Sequence, residues 1–466
     1  MLSVLRNRTY RRLFAAQVVA LTGTGLATVA LSLLAYDLAG ADAAAVLGTA
    51  LALKMAAYVT IAPLAGALAG ALADRLPRRA LLVSMDLARA TVVLALPFVT
   101  QVWQVYGLIL LLQASSAVFT PAFQATIPQV LPEERAYTEA LSLSRLAYDL
   151  ESLASPVLAA ALLALVPYSW LFTGTAAGFL ASALLVRTTA LPEPPEPGAA
   201  PAHRLPARVA LGVRLVLATP RLRALLALDL AVAAAGAVVL VDTVLLVRDT
   251  LGRSAADVPL ALGAYGAGSM AVALLLPRAL GRADDRAVMV RAAFVLPGAL
   301  ALLALGLAPG PGAASWPGLL AVWLVLGAAG SAVLTPGGRV VRRSADGADL
   351  PAVFAARFSL SHACWLLTYP LAGVLAAGAG PAVSAAVLGA LALLGAVGAA
   401  RLWPREDPAE LAHVHPELPA GHPHLAGAGA HHVHAFHIDA LHRRWPVASG
   451  QRGSRISRPS RTTSRP

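Results

Sequence analysis

The chain of 466 residues has one cysteine, Cys364, and one lysine, Lys54; only 13% of its residues are charged and 6% are aromatic. A single cysteine rules out an internal disulfide and leaves the redox compartment open. So little charge is too little to cover the water-facing surface of a soluble protein. No G-x-x-x-x-G-K-[ST] pattern is present, which argues against a pump with its own P-loop ATPase. No ten-residue alternation of apolar and polar positions suggests a transmembrane barrel.

What fills the chain instead is long apolar runs, with 58% hydrophobic residues and a mean hydropathy of +0.70. Runs able to cross a hydrocarbon core of about 30 Å recur along residues 12–403. Twelve are counted, over 12–38, 43–72, 80–100, 103–122, 138–166, 168–188, 222–247, 257–280, 287–308, 316–338, 353–378 and 381–402. Each is read as a helix, because an isolated segment in lipid must satisfy its backbone groups internally. The first is too long for a signal-peptide core and is expected to be retained.

The net charge of +12 is distributed by topology rather than in a nucleic-acid patch. Arg6, Arg8, Arg11 and Arg12 precede the first span, and Arg75, Arg78 and Arg79 follow the second. Arg339, Arg342 and Arg343 follow the tenth, and Arg401 and Arg405 end the twelfth. The alternate loops, near 39–42, 101, 167, 309–315 and 379, carry almost no basic residues. The positive-inside rule then puts both termini in the cytoplasm of a cell-membrane protein. Arg248 and Arg253 are the exception, offset by Asp249 and Asp257.

The two halves resemble each other. Thr120-Pro121, ending the fourth span, matches Thr335-Pro336, ending the tenth, and Ser142-Leu-Ser-Arg145 matches Ser359-Leu-Ser-His362 at a nearly constant offset. The expected fold is therefore an all-α membrane protein of twelve transmembrane helices in two six-helix bundles. Residues 1–188 form the first bundle, 189–220 a cytoplasmic linker, 221–403 the second bundle, and 404–466 a flexible cytoplasmic tail rich in histidine and arginine. The linker opens with Pro192, Pro194, Pro195 and Pro197, a stiff extended stretch. Residues 207–218 read either as a short helix on the inner membrane surface or as more of a disordered connector.

The loop Gly70-Ala-Leu-Ala-Asp74-Arg75-Leu-Pro77-Arg78-Arg79 joins the second and third spans. With the six-plus-six repeat and the cytoplasmic central loop, it resembles the major facilitator superfamily over about residues 5–403. Gly70, Asp74, Arg75, Arg78 and Arg79 match that family's signature, and Pro77 stands where glycine is usual. The resemblance implies a secondary transporter, not an enzyme, with no cofactor. Two departures leave the direction of transport less defined than the fold. The helix-5 antiporter motif is degenerate, as Ser155-Pro156-Val-Leu-Ala159-Ala160, and the fourth span lacks the usual arginine. The general run of the chain, including Val-Arg248-Asp249-Thr-Leu-Gly252 after the seventh span, is most similar to the superfamily's drug and metal exporters. Physically, Asp74 at a helix end can accept from arginines or a helix N-terminus and so hold one of two rocking states. The bland reading is that the arginines only fix topology.

Ionisable groups inside spans are functional candidates by default. Lys54 lies about 11 residues into the second span, near the bilayer midplane, and lysine, unlike arginine, can lose its proton when buried. Asp149 and Glu151 in the fifth span lie at similar depth, about 16–20 Å in. Arg145 is one turn below Asp149, at a spacing that permits an ion pair; if that pair forms, Glu151 is the freer carboxylate. His362 in the eleventh span titrates near neutral pH and is also a potential metal ligand. Asp86 and Arg89 read as architecture, while Asp229 and Asp242 are ambiguous.

Nine of the 11 histidines fall in the tail: His413, His415, His422, His424, His431, His432, His434, His437 and His442. H-x-H pairs with Glu410, Glu417 and Asp439 nearby suit nickel, cobalt, zinc or copper. The composition is similar to nickel-resistance permeases of the superfamily, which carry histidine-rich tails. Arg452 to Arg465 add a basic end suited to anionic lipid. The leading expectation is a proton-coupled exporter of nickel or cobalt. Its alternatives are an exporter of organic molecules and a membrane metal sensor that does not transport. Expected partners are the small-molecule or metal-ion substrate, protons and membrane lipids, with no nucleic acid.

Overall fold

The computed structural model describes residues 2–39, 49, 53–61, 78–163, 165–191, 205–253, 257–280, 283–308, 315–408, 410–415, 431–439, 441–442 and 445. Two compact units result, Met1–Asp407 and Pro408–Pro466.

Unit one is helical. Its elements are α1 (Arg8–Ala39), α2 (53–61), α3 (Arg78–Ala95), α4 (Val102–Val130), α5 (Glu134–Leu163), α6 (Ser169–Arg187) and α7 (Leu205–Ala218). The chain continues through α8 (Pro220–Thr250), α9 (Val258–Leu280), α10 (Asp285–Gly306), α11 (Trp316–Leu334), α12 (Gly337–Arg342), α13 (Leu350–Ala379) and α14 (Pro381–Leu402). Ten helices among the described residues are long and apolar enough to cross a membrane. α5 is 30 residues long and carries Arg145, Asp149 and Glu151. Most of the expected second span lies outside the described residues, with α2 in its middle.

Helix ends depart from the apolar runs. α4 does not end at Thr120-Pro121 but continues to Val130, with Pro121 and Pro128 inside it. Hydropathy marks where the hydrocarbon core stops, whereas a helix persists while its backbone bonds are made; Thr126 returns its hydroxyl to the Ala122 carbonyl. α8 contains two π turns, Val238–Asp242 and Leu246–Thr250, which no composition signal announced. Of the two readings of the linker, the helix is found, as α7: Leu215 and Val216 are buried, and a Cβ on Gly212 would lie 2.5 Å from the Ala352 carbonyl oxygen.

Packing is close where side chains are small. α1 lies on α6, where Gly23 and Gly178 let the backbones approach and Thr175 donates to the Gly23 carbonyl at 2.8 Å. In the second half, Gly268 of α9 and Gly327 of α11 face each other's helix: a Cβ on either would fall 1.9 Å from the carbonyl oxygen of Leu324 or Tyr265. Without a hydrophobic drive between helices in lipid, such contact of small residues is what holds them together.

Unit two differs from the expected tail. Its described part contains an antiparallel strand pair, β1 (Leu411–Val414) and β2 (His431–His434), in which His413 faces His432 and Leu411 faces His434. The chain is thus not wholly α.

Candidate functional site: a polar centre between two helical halves

The two halves touch along α5–α9, α4–α13 and α2–α13. At mid-span, Tyr58 of α2 meets Phe358 and His362 of α13, with ring centroids 5.0 and 4.8 Å apart, while Phe358 and His362 lie 4.1 Å apart. One turn away on α2, the Lys54 ammonium stands 5.8 Å from the Tyr58 ring, within cation–π reach. The Tyr58 hydroxyl donates to Gln113 of α4 at 2.9 Å, and Ser359 donates to the Val59 carbonyl. His362 Nδ1 bonds the Phe358 carbonyl oxygen at 2.7 Å, which leaves Nε2 as its other polar end.

Glu151 of α5 is half-buried, and Lys54 is the charge that acts on it. Among the described residues it makes neither a hydrogen bond nor an ion pair. Asp149 is paired, with Arg145 at 3.0 Å. The same guanidinium donates through Nε and Nη2 to Ser269 of α9 at 3.0 and 2.9 Å, so one arginine ties a buried carboxylate of the first half to the second. The structure therefore brings Lys54, Glu151 and His362 into one electrostatic neighbourhood and sets Arg145 and Asp149 apart as a bridge.

A second bridge closes the arginine-rich ends. Arg339 of α12 donates to Glu134 at 2.6 Å and Thr138 at 2.9 Å, both on α5, and Arg342 donates to the Pro132 carbonyl. Behind them Asp285 faces Arg339 and Arg343, each at 3.4 Å, and Asp407 faces Arg221 at 3.2 Å. Of the loop signature, Gly70, Asp74 and Arg75 lie outside the described residues. Arg78 donates to Gln129 of α4, and Arg79 is exposed.

Several of these partners escaped sequence reasoning. Asp229 pairs with Arg357 at 2.9 Å across 128 residues, and Ser269, Tyr58 and Phe358 carried no sequence signal beyond a polar or aromatic residue in a span.

In unit two, His422 and His424 lie outside the described residues, while His413, His431 and His432 are placed by strand register. His415 Nε2 and His442 Nε2 stand 3.0 Å apart, and the His434 and His442 rings lie 5.1 Å apart. Asp439 accepts from His442 Nδ1 at 2.9 Å. Burial works against the ionised Asp439, but these bonds from His442 and the Leu441 amide hold its carboxyl below the usual range. Among the described residues no three His, Cys, Asp or Glu side chains converge as a metal site, His437 included.

A model of the transmembrane secretion effector family, within the major facilitator superfamily, matches residues 1–347. The chain belongs to this family. It is a multi-pass membrane transporter. The transporter is 27% identical over 121 residues to YfiS of Bacillus subtilis (strain 168), an uncharacterised MFS-type transporter; the match spans 26% of this chain and only 29% of that relative. Among solved structures, the human organic anion transporter MFSD10 (TETRAN) superposes with a TM-score of 0.72 at 16% identity, over 84% of this chain and 99% of that one. The Escherichia coli fucose:proton symporter FucP does so at 0.67 and 13%, over 85% and 98%. A bacterial homologue of the iron transporter ferroportin, in its outward-facing state, does so at 0.67 and 12%, over 84% and 99%. At these identities the likeness is one of fold.

Proposed function

We propose that this transporter is a proton-coupled exporter of the cell membrane. It works by alternating access between two six-helix halves, with twelve transmembrane helices, both termini in the cytoplasm, and the tail beyond the second bundle. The observation that carries this reading is Glu151, a mid-span carboxylate with no ion pair among the described residues, within the field of Lys54. A carboxylate that gains and loses a proton as the seam opens to either side is the minimal part for coupling. Arg339, Arg342 and Glu134 join the halves at the end that the arginines assign to the cytoplasm, which supports a state closed on that side. The Gly70–Arg79 loop, with Asp74 as acceptor, acts as the switch between states.

For the cargo, nickel or cobalt is the leading candidate, supported by the histidine tail and by the His415–His442 contact. The edge-on cluster of Tyr58, Phe358 and His362 at the seam favours a second cargo, a small organic molecule with an apolar or aromatic surface. Uptake into inverted vesicles driven by a proton gradient, measured for nickel and for a panel of toxic organic compounds, separates the two. The coupling reading predicts that Glu151→Gln abolishes gradient-driven uptake; uptake that survives Glu151→Gln combined with Asp149→Asn refutes it. Metal uptake dependent on the tail supports the first cargo, and organic uptake indifferent to it supports the second.

A further inference from the structure

The second half carries a buried carboxylate that neither bridge uses. Asp242 ends the first π turn of α8 and is 1% exposed, next to the fully buried Val238 and Val239. Ser384, in the first turn of α14, donates to its Oδ2 at 2.7 Å; among the described residues Oδ1 has no hydrogen-bond partner. The neighbouring Thr243 hydroxyl is committed elsewhere, donating to the Val239 carbonyl and accepting from the Trp323 indole at 2.9 Å.

Among the described residues no cation pairs with this group. The helices packed against the turn are α9, α13 and α14. α9 carries Tyr265 and Arg278, and α14 carries Arg401 at its far end. α13 carries Arg357, His362, Cys364 and Tyr369, and α8 itself Arg221, Arg223, Asp229, Arg248 and Asp249. None of them hydrogen-bonds or ion-pairs with Asp242, whose one hydrogen-bond partner among the described residues is Ser384. Burying a lone carboxylate is costly enough that such a group normally takes up a proton or a cation. A metal cation needs several oxygen ligands, and one open carboxylate oxygen does not supply them.

Both protonation states nevertheless have support. The apolar wall suits the neutral acid, while the Ser384 hydroxyl and the positive N-terminal end of α14 suit the anion. A π turn, whose i→i+5 bonds displace backbone carbonyls from the ordinary ladder, is a geometry that recurs at functional sites. Asp242 lies about 33 Å along α8 from Pro220, at the end of the bundle away from Arg221 and Arg401. We propose that Asp242 is a proton-binding site of the second half, loaded from the end opposite the arginine-rich one. The step is simple: an O–H bond forms at Oδ1 with a proton from water at that end and breaks when the proton returns. Proton occupancy stands on this geometry alone; its use in transport rests on the proton-coupled reading above.

The test is pH-difference infrared spectroscopy of the full-length chain in lipid nanodiscs, without substrate, following the carbonyl bands of protonated carboxylic acids. Wild type is expected to show a band that changes between acid and alkaline buffer and is lost in Asp242→Asn. Asp242→Glu should restore a band at a shifted frequency, and Ser384→Ala should move the midpoint of the wild-type band. Retention of every protonated-acid band in Asp242→Asn overturns the proposal. So does loss of a band that never responds to pH, which marks a permanent structural acid. If Asp242→Asn does not fold, the Ser384→Ala midpoint decides alone. Glu151→Gln is run alongside; its loss of a different band, or of none, bears on the coupling reading and not on Asp242.

Discussion

Arg339 of the second half donates to Glu134 of the first at 2.6 Å while standing 3.4 Å from Asp285 of its own half. The guanidinium thus joins a contact across the seam to a carboxylate within one half. Glu134 is 61% exposed on its side chain and Asp285 only 1%, so the two partners differ in what their loss does.

Glu134→Gln should loosen the seam without disturbing the second half. Exposed pairs are worth at most about 1 kcal/mol, so the population open at this end should rise by no more than about fivefold. Spin labels at Arg135 and Gly347, with Cys364 replaced by serine, report the distance distribution. An unchanged distribution refutes the latch role. Arg339→Gln should also destabilise the fold, since it strips a partner from buried Asp285.

The Arg145–Asp149 pair should behave as a buried bridge. Removing one partner of such a pair costs about 3–5 kcal/mol, whereas replacing both with apolar residues is often close to neutral. Asp149→Asn is therefore expected to lower the thermal midpoint clearly, and Arg145→Met with Asp149→Leu to recover much of it. A double variant no more stable than the single one contradicts this.

How much of this was legible follows from distance along the chain. Arg145 and Asp149 sit four residues apart, and helical periodicity alone placed them together. Ser269, 124 residues on, could not be found that way, because the register of α5 against α9 is set by packing. Lys54 stood out as the one lysine at mid-span, yet the α13 rings that meet its neighbour Tyr58 are defined only when the halves meet. The strand pair in the tail escaped because a four-residue strand of mostly histidine has no apolar alternation to read. The π turns of α8 escaped because i→i+5 bonding leaves no mark in composition.

Gly268→Ala should be among the most damaging small substitutions in the second half. Its Cβ would meet the Leu324 carbonyl at 1.9 Å, a backbone atom that cannot rotate away. Overpacking of this kind costs about 1–3 kcal/mol. The same change at Gly298, with open space around it, should be neutral. Thermal unfolding of the two variants side by side checks this; equal midpoints would show that α9 and α11 separate freely.

The site of truncation matters for any experiment on the tail. Asp407 belongs to the membrane unit, where it pairs with buried Arg221 and accepts from the Trp403 indole at 3.0 Å. A chain ended after Asp407 should keep its stability, whereas one ended after Pro404 should lose about 3 kcal/mol or more as the carboxylate leaves Arg221. Comparison of their melting midpoints tests this, and equal midpoints refute it. Transport lost only on truncation after Pro404 would report on folding rather than on histidines.

α7 packs Gly212 against the Ala352 backbone at the start of α13. A segment between two halves is easily imagined as a slack tether that takes no side. Here its helical part is clasped by the half that follows it, so the proposed rocking of the halves should carry α7 along with that half. A fluorophore at Leu217, exposed on α7, would therefore keep its distance to α13 while its distance to α5 changes.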